Sequence, residues 1–181
     1  MQILCAARTF EIPRKNIFTF LKAIETLKII KNNFSVKLIG KHSVDQAKLV
    51  KKISEKFEID ITIKQYLPRL KLLELYKETD IFVCPSIYEE FGYVILEAMA
   101  QGLPIVASKT HSFQDLIKDG ENGFLVSAKN HIAFANTLKK LIEDENLRLK
   151  MGVKSYQIVK EKFDWNVLIK SYIKVYEETL Y

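Results

Sequence analysis

Cysteine is scarce in this chain: Cys5 and Cys84 are the only two in 181 residues, and neither belongs to a C-x-x-C pair. That excludes a disulfide framework and a thiolate metal cage. Both sit in apolar, strand-like runs, as small core residues of a protein in a reducing compartment do. Six glycines and four prolines are too few for a low-complexity or disordered chain, and no segment repeats at the roughly 20–50-residue period of solenoids. No run approaches the roughly 18 apolar residues that read as a membrane span, and the N-terminus lacks a charged-then-apolar secretory pattern, so the expected location is the cytoplasm. The three histidines, His42, His111 and His131, have no metal-ligand spacing and read as non-catalytic. No G-x-G-x-x-G follows the first apolar run, which argues against a nicotinamide-dependent oxidoreductase.

What the chain does contain is 48% hydrophobic and 28% charged residues, the balance of one globular domain with a well-buried core. Its net charge of +6, from 28 Lys and Arg against 22 Asp and Glu, suits an anionic ligand or peripheral association with an acidic membrane face. Part of the excess, Lys48, Lys51, Lys52 and Lys56, falls on one polar helix face and reads as solvated surface. Basic residues are not interleaved with aromatics as nucleic-acid binding requires, so no nucleic-acid partner is expected.

Short continuous apolar runs alternate with helix-spaced stripes, the pattern of an α/β fold: a doubly wound parallel sheet of about six strands, helices on both faces. Strands are predicted at Gln2–Ala7, Ser35–Gly40, Ile59–Gln65, Ile81–Pro85, Leu103–Ala107 and Gly123–Val126. Ile17, Phe20, Leu21, Ile24 and Leu27 form one helical face, and Leu49, Val50, Ile53 and Phe57 another, whose helix opens with a capping-box spacing at Ser43 and Gln46. In the third strand Ile59, Ile61 and Ile63 alternate with Asp60, Thr62 and Lys64, which puts it at a sheet edge. That fits the order 3-2-1-4-5-6, with ligands bound beyond the strand ends where strands one and four diverge. The two loops there are Thr9–Asn16 and Ser86–Gly92.

The second loop opens the segment PSIYEEFGYVILEAMAQGLPIVAS, with Glu89 and Glu97 eight positions apart around a predicted helix start. This is similar to the E-x7-E signature of the retaining glycosyltransferases of family 4, which have the two-domain GT-B fold. The resemblance continues through AMAQGLPIVAS, LIKDGENGFLV and EKFDWNVLIKSYIKVYEE, and covers only the C-terminal, Rossmann-like, donor-binding half. It implies a hexosyl transfer from a UDP- or GDP-sugar to a glycan or lipid-linked acceptor, as in polysaccharide biosynthesis. It also implies catalytic roles for Glu89, facing the donor sugar, and for Arg8 and Lys15, contacting the diphosphate, with Arg14 an alternative to either cation. Glu97 would accept hydrogen bonds from the ribose hydroxyls, and the backbone around Phe91, Gly92, Tyr93 and Val94 would present helix-terminal N–H groups to phosphate or sugar oxygens. Tyr66 and Leu67 occupy positions lining the base, although Tyr66 also suits ordinary packing. Ser86 either bonds the ligand or starts the turn. No metal or other cofactor is expected, because two cations and a helix terminus can neutralise the diphosphate.

The chain departs from the pattern at several points. Glu90 stands where glycine is frequent, His111 and Ser112 replace a glycine pair with Asp115 in place of a glutamate, and the turn after strand two keeps only Gly40 before Lys41 and His42. The resemblance assigns residues 1–163 to a nucleotide-sugar-binding domain. Residues 164–181 would be a helix crossing to an N-terminal domain absent from this sequence, supplied in cis or by a partner subunit; without that domain the chain is expected to be inactive. Trp165, Leu168, Tyr172 and Tyr176 form a rough apolar stripe on that helix. The competing reading is a non-catalytic nucleotide-sugar-binding module or subunit of a two-chain transferase.

Overall fold

The computed structural model describes residues 1–27 and 34–179. Six strands, β1 Gln2–Thr9, β2 Ser35–Lys41, β3 Asp60–Lys64, β4 Ile81–Cys84, β5 Ile105–Ser108 and β6 Gly123–Val126, form one sheet. It is parallel throughout, in the order β3-β2-β1-β4-β5-β6. The helices are α1 Ile17–Thr26, α2 Val44–Phe57, α3 Arg69–Lys77, α4 Tyr93–Ala100, α5 His111–Leu116, α6 His131–Glu143, α7 Glu145–Lys162 and α8 Trp165–Thr179.

The continuous apolar runs follow from burial on two faces. Ile3 and Cys5 of β1, Ile81 and Val83 of β4 and Val106 of β5 enter one core with Phe20, Ile24, Val50, Ile53 and Phe134 of α1, α2 and α6. The alternating residues Leu4, Ala6, Phe82, Cys84, Ile105 and Ala107 enter a second core with Tyr76, Ile95, Met99, Phe113 and Ile158 of α3, α4, α5 and α7. β3 is an edge strand, as its polar alternation predicts, and among the described residues it pairs only with β2. Ser43 and Gln46 close the expected capping box on α2, each side chain bonded to the other's backbone N–H.

The predicted strand bounds are corrected in five places: β1 and β2 run on to Thr9 and Lys41, β3 is confined to Asp60–Lys64, and β4 and β5 change for identifiable reasons. β5 starts at Ile105, not Leu103, because the Leu103 N–H closes the last turn of α4 on the Ala98 carbonyl at 3.2 Å and Pro104 has no N–H to enter a ladder. β4 ends at Cys84, and the Pro85 carbonyl bonds side chains instead. The segment after β5 that holds His111 and Ser112 is the short helix α5, capped by the Thr110 hydroxyl. α8 packs on α7 and buries none of its residues, leaving Trp165, Tyr172 and Tyr176 exposed.

Burial pushes the Cys5 thiol well above its ordinary value, and the Cys84 thiol up to about 11 against a lowering hydrogen bond with Ser86. Burial, followed by the negative charge of Glu97, also raises the Tyr76 hydroxyl. All three ionise to anions, so the unfolded chain ionises first as pH rises. For the Cys84 thiol the stabilisation is therefore complete below the unfolded value of about 8.5 and is lost as pH climbs from there toward 11. The urea midpoint is expected to stay level from neutrality to about pH 8.5 and then fall. A thiol reagent at neutral pH should label neither cysteine until the chain is unfolded.

Candidate functional site

Beyond the carboxyl ends of β1 and β4 the loops diverge, and the crevice between them holds two adjoining cavities of about 940 and 360 Å³. They share Ala6, Ala7 and Arg8 at the end of β1 and Tyr93 and Val94 at the start of α4, so they form one trough.

The loop after β1 is shaped by Asn16, which adopts a left-handed conformation at φ 53°. Its amide donates to the Pro85 carbonyl at 2.9 Å and the Ala128 carbonyl at 2.6 Å, and its oxygen accepts from Thr19 at 2.7 Å. The Ile87 N–H donates to the Arg14 carbonyl at 2.7 Å. The two loops are thus stitched together, and Lys15 meets Glu89 in an ion pair whose side chains are only 13% and 16% exposed. Arg14 lies over the Tyr88 ring, 5.8 Å from its centre. Ser112, at the start of α5, donates to the Glu89 carbonyl at 2.8 Å and so fixes the backbone that carries this glutamate.

On the other wall, Gly92 at φ 103° turns the chain into α4. No side chain caps this helix, so its first N–H groups stay available beside Tyr93 and Val94. A Cβ at Gly92 would approach the Phe113 ring to 2.9 Å, so glycine is required here by space as well as by φ. Phe91 serves packing, its ring 5.1 Å from Tyr93 and 6.1 Å from Phe163. Ser86 is buried on the floor of the smaller cavity, next to the Cys84 thiol at 3.8 Å.

Glu97 lies in the larger cavity, not beside Glu89, so the two signature carboxylates address opposite ends of the trough. One oxygen, Oε2, accepts from the Tyr76 hydroxyl at 3.4 Å; the other, Oε1, is 3.7 Å from the Arg69 guanidinium. Tyr66 is 61% exposed and lines this cavity with Leu67, so its ring is available at the rim and is not core packing. Arg8 is exposed at the junction of the cavities and makes no ion pair among the described residues.

The trough therefore offers a recess with apolar and aromatic lining, the carboxylate of Glu97 and a rim ion pair of Glu11 with Lys41, then a central cation beside an uncapped helix start, and a polar end with a carboxylate–ammonium pair. It suits an elongated ligand with a flat apolar head, hydroxyls, a central anion and a polyhydroxylated tail. Among the described residues no group of three His, Cys, Asp or Glu is arranged to hold a metal ion, and no helix is long and apolar enough to cross a membrane. Sequence reasoning missed Asn16, Tyr76 and Arg69. Asn16 left a signal, as a residue type that tolerates positive φ directly before a helix; Tyr76 looks like any core aromatic, and Arg69 like any first-turn surface cation.

Residues 3–158 match the family model described as glycosyl transferases group 1. A phosphatidyl-myo-inositol mannosyltransferase of Mycobacterium leprae is 29% identical over 174 residues, covering 93% of this chain and 44% of that protein. The chain thus spans less than half the length of this curated relative. Among solved structures, the C-terminal domain of a glycosyl transferase group 1 family protein from Francisella tularensis has 27% identity and a TM-score of 0.78, over 91% of this chain and 85% of that one. HepE of Anabaena, solved with UDP, has 21% identity and a TM-score of 0.84, over 98% and 48%; that likeness is one of fold.

Proposed function

We propose, from the premise that this chain belongs to the group 1 glycosyl transferases, that it is the donor-binding half of a retaining, family 4, GT-B hexosyltransferase using a UDP- or GDP-sugar. The observation that carries this reading is the single trough joined at Arg8, Tyr93 and Val94, with Glu97 at one end and the Lys15–Glu89 pair at the other. The nucleoside occupies the larger cavity, its base along Tyr66 and Leu67 and its ribose hydroxyls donating to Glu97. The diphosphate lies at the junction, met by Arg8, Lys15 and the first turn of α4. The sugar enters the smaller cavity, where Glu89 and Ser86 face it.

Chemistry follows from the charges. As the bond from the sugar to the diphosphate lengthens, negative charge grows on the leaving phosphate and positive charge on the sugar ring. Arg8, Lys15 and the α4 N–H groups stabilise the first, and Glu89 the second. With these groups in place no metal is needed in the proposed reaction. The acceptor, a glycan or lipid-linked carrier, is bound by a second domain in cis or on a partner subunit. Residues 1–163 hold the donor and 164–181, of which 180 and 181 lie outside the described residues, dock on that domain. Cytoplasmic action at the inner face of a membrane would suit a lipid-linked acceptor.

The test is a calorimetric panel of UDP, GDP and their hexose conjugates against the full chain. Saturable binding of one nucleotide family is expected. Glu97→Ala should weaken it by about 2 kcal/mol, the loss of charge-assisted hydrogen bonds in a part-buried site. Absence of binding by every compound, or unchanged affinity in the variant, overturns the assignment.

A further inference from the structure

Glu97 is held from behind by a residue that does not line the trough. Tyr76 comes from α3, is fully buried, and its ring packs edge-on against Phe82 of β4 at 5.6 Å between centres. Its hydroxyl carries one proton, and two oxygens on α4 compete for it: the Val94 carbonyl at 3.3 Å and Glu97 Oε2 at 3.4 Å. A buried hydroxyl gains from donating to a carboxylate, and a carboxylate oxygen that accepts a fixed donor loses rotational freedom. Oε2 of Glu97 therefore faces the buried Tyr76 hydroxyl at 3.4 Å, a long contact that a small rotation of either side chain would shorten. Oε1 is left outward, where its nearest cation is Arg69, 75% exposed and beyond hydrogen-bond reach at 3.7 Å.

We propose that Tyr76 is a positioning residue for Glu97: it anchors Oε2 so that Oε1 stands ready for the ribose hydroxyls. This rests on the reading of Glu97 as the ribose-binding carboxylate. The raised hydroxyl of Tyr76 remains protonated, and so remains a donor, throughout the neutral range. An alternative occupant of that proton, the Val94 carbonyl alone, would make Tyr76 a helix-docking residue with no stake in the ligand.

Tyr76→Phe removes only the hydroxyl and leaves the ring against Phe82, so folding is checked by near-UV circular dichroism and the urea midpoint. UDP and GDP are titrated into the wild type, Tyr76→Phe, Glu97→Ala and the double variant, and the nucleotide that binds is repeated as its 2′,3′-dideoxy form. Glu97→Ala is expected to lose about 30-fold in affinity and Tyr76→Phe about three- to tenfold. The double variant should be no weaker than Glu97→Ala alone, and Tyr76→Phe should match wild type on the dideoxy nucleotide. A merely structural role would weaken both nucleotides equally. If Glu97→Ala weakens binding while Tyr76→Phe does not, or if the two losses multiply, the positioning role fails and the ribose assignment stands. If Glu97→Ala has no effect, the ribose assignment itself fails and the positioning role with it.

Discussion

Lys15→Met is expected to cost about 2 kcal/mol of stability and about 3 kcal/mol of donor affinity, more than any other single change in the trough. The methionine keeps the apolar stem and deletes the ammonium, so Glu89 is left 16% exposed without its counter-charge. An exposed pair would contribute less than about 1 kcal/mol; the burial of both partners moves this one toward the costly class. The affinity loss has two sources: the missing cation, and the now unopposed negative charge of Glu89 facing an incoming diphosphate. A double variant separates them. Lys15→Met with Glu89→Gln should recover most of the urea stability, because no uncompensated charge remains. It should recover only the repulsive part of the affinity, because no cation has returned. Full recovery of UDP binding in the double variant would show that Lys15 acts only by neutralising Glu89, and Arg8 and Arg14 would then carry the diphosphate.

The same pair shows where sequence reasoning ends. That Lys15 and Glu89 both fall at one crevice is legible, since each lies in a loop at the switch between the first and fourth strands of a doubly wound sheet. That they meet each other is not, because the meeting depends on Asn16 in a left-handed conformation reaching Pro85 and Ala128 across 69 and 112 positions of chain. The sheet order is legible at one side for a different reason: the alternation in Asp60–Lys64 marks an edge, whereas β6, the strand at the opposite edge, is a continuous apolar run that carries no such mark. The sequence pattern places the start of β5 two residues early because Leu103 and Pro104 extend the apolar run, and hydrophobicity does not separate a turn that ends a helix from a strand that follows it. Glu97 has neighbours that the sequence around it does not point to. Its actual partners, Tyr76 and Arg69, lie on α3, and no local spacing brings that helix to it.

Gly152→Val is expected to lower stability by about 4 kcal/mol, a large part of what a domain of this size has. α7 crosses α4 so closely at this point that a Cβ on Gly152 would overlap the Gly102 carbonyl oxygen. Both sides of the overlap are backbone, so no side chain can swing away, and the clash must be relieved by parting two helices. Gly102 cannot retreat: at φ 73° it ends α4, its N–H bonded to Met99 at 2.9 Å, and the next residue leads into β5. The helix displaced is the one that carries Glu97 and the uncapped first turn, so donor binding should weaken along with the urea midpoint although position 152 lies at the opposite end of α4 from the ligand. Gly120→Ala provides the contrast. Gly120 has φ 81° but nothing within 4 Å of an added Cβ, so only backbone strain of about 1 kcal/mol is expected there, with donor affinity unchanged. If Gly152→Val loses no more stability than Gly120→Ala, the close approach of α7 to the end of α4 does not set the requirement for glycine at 152.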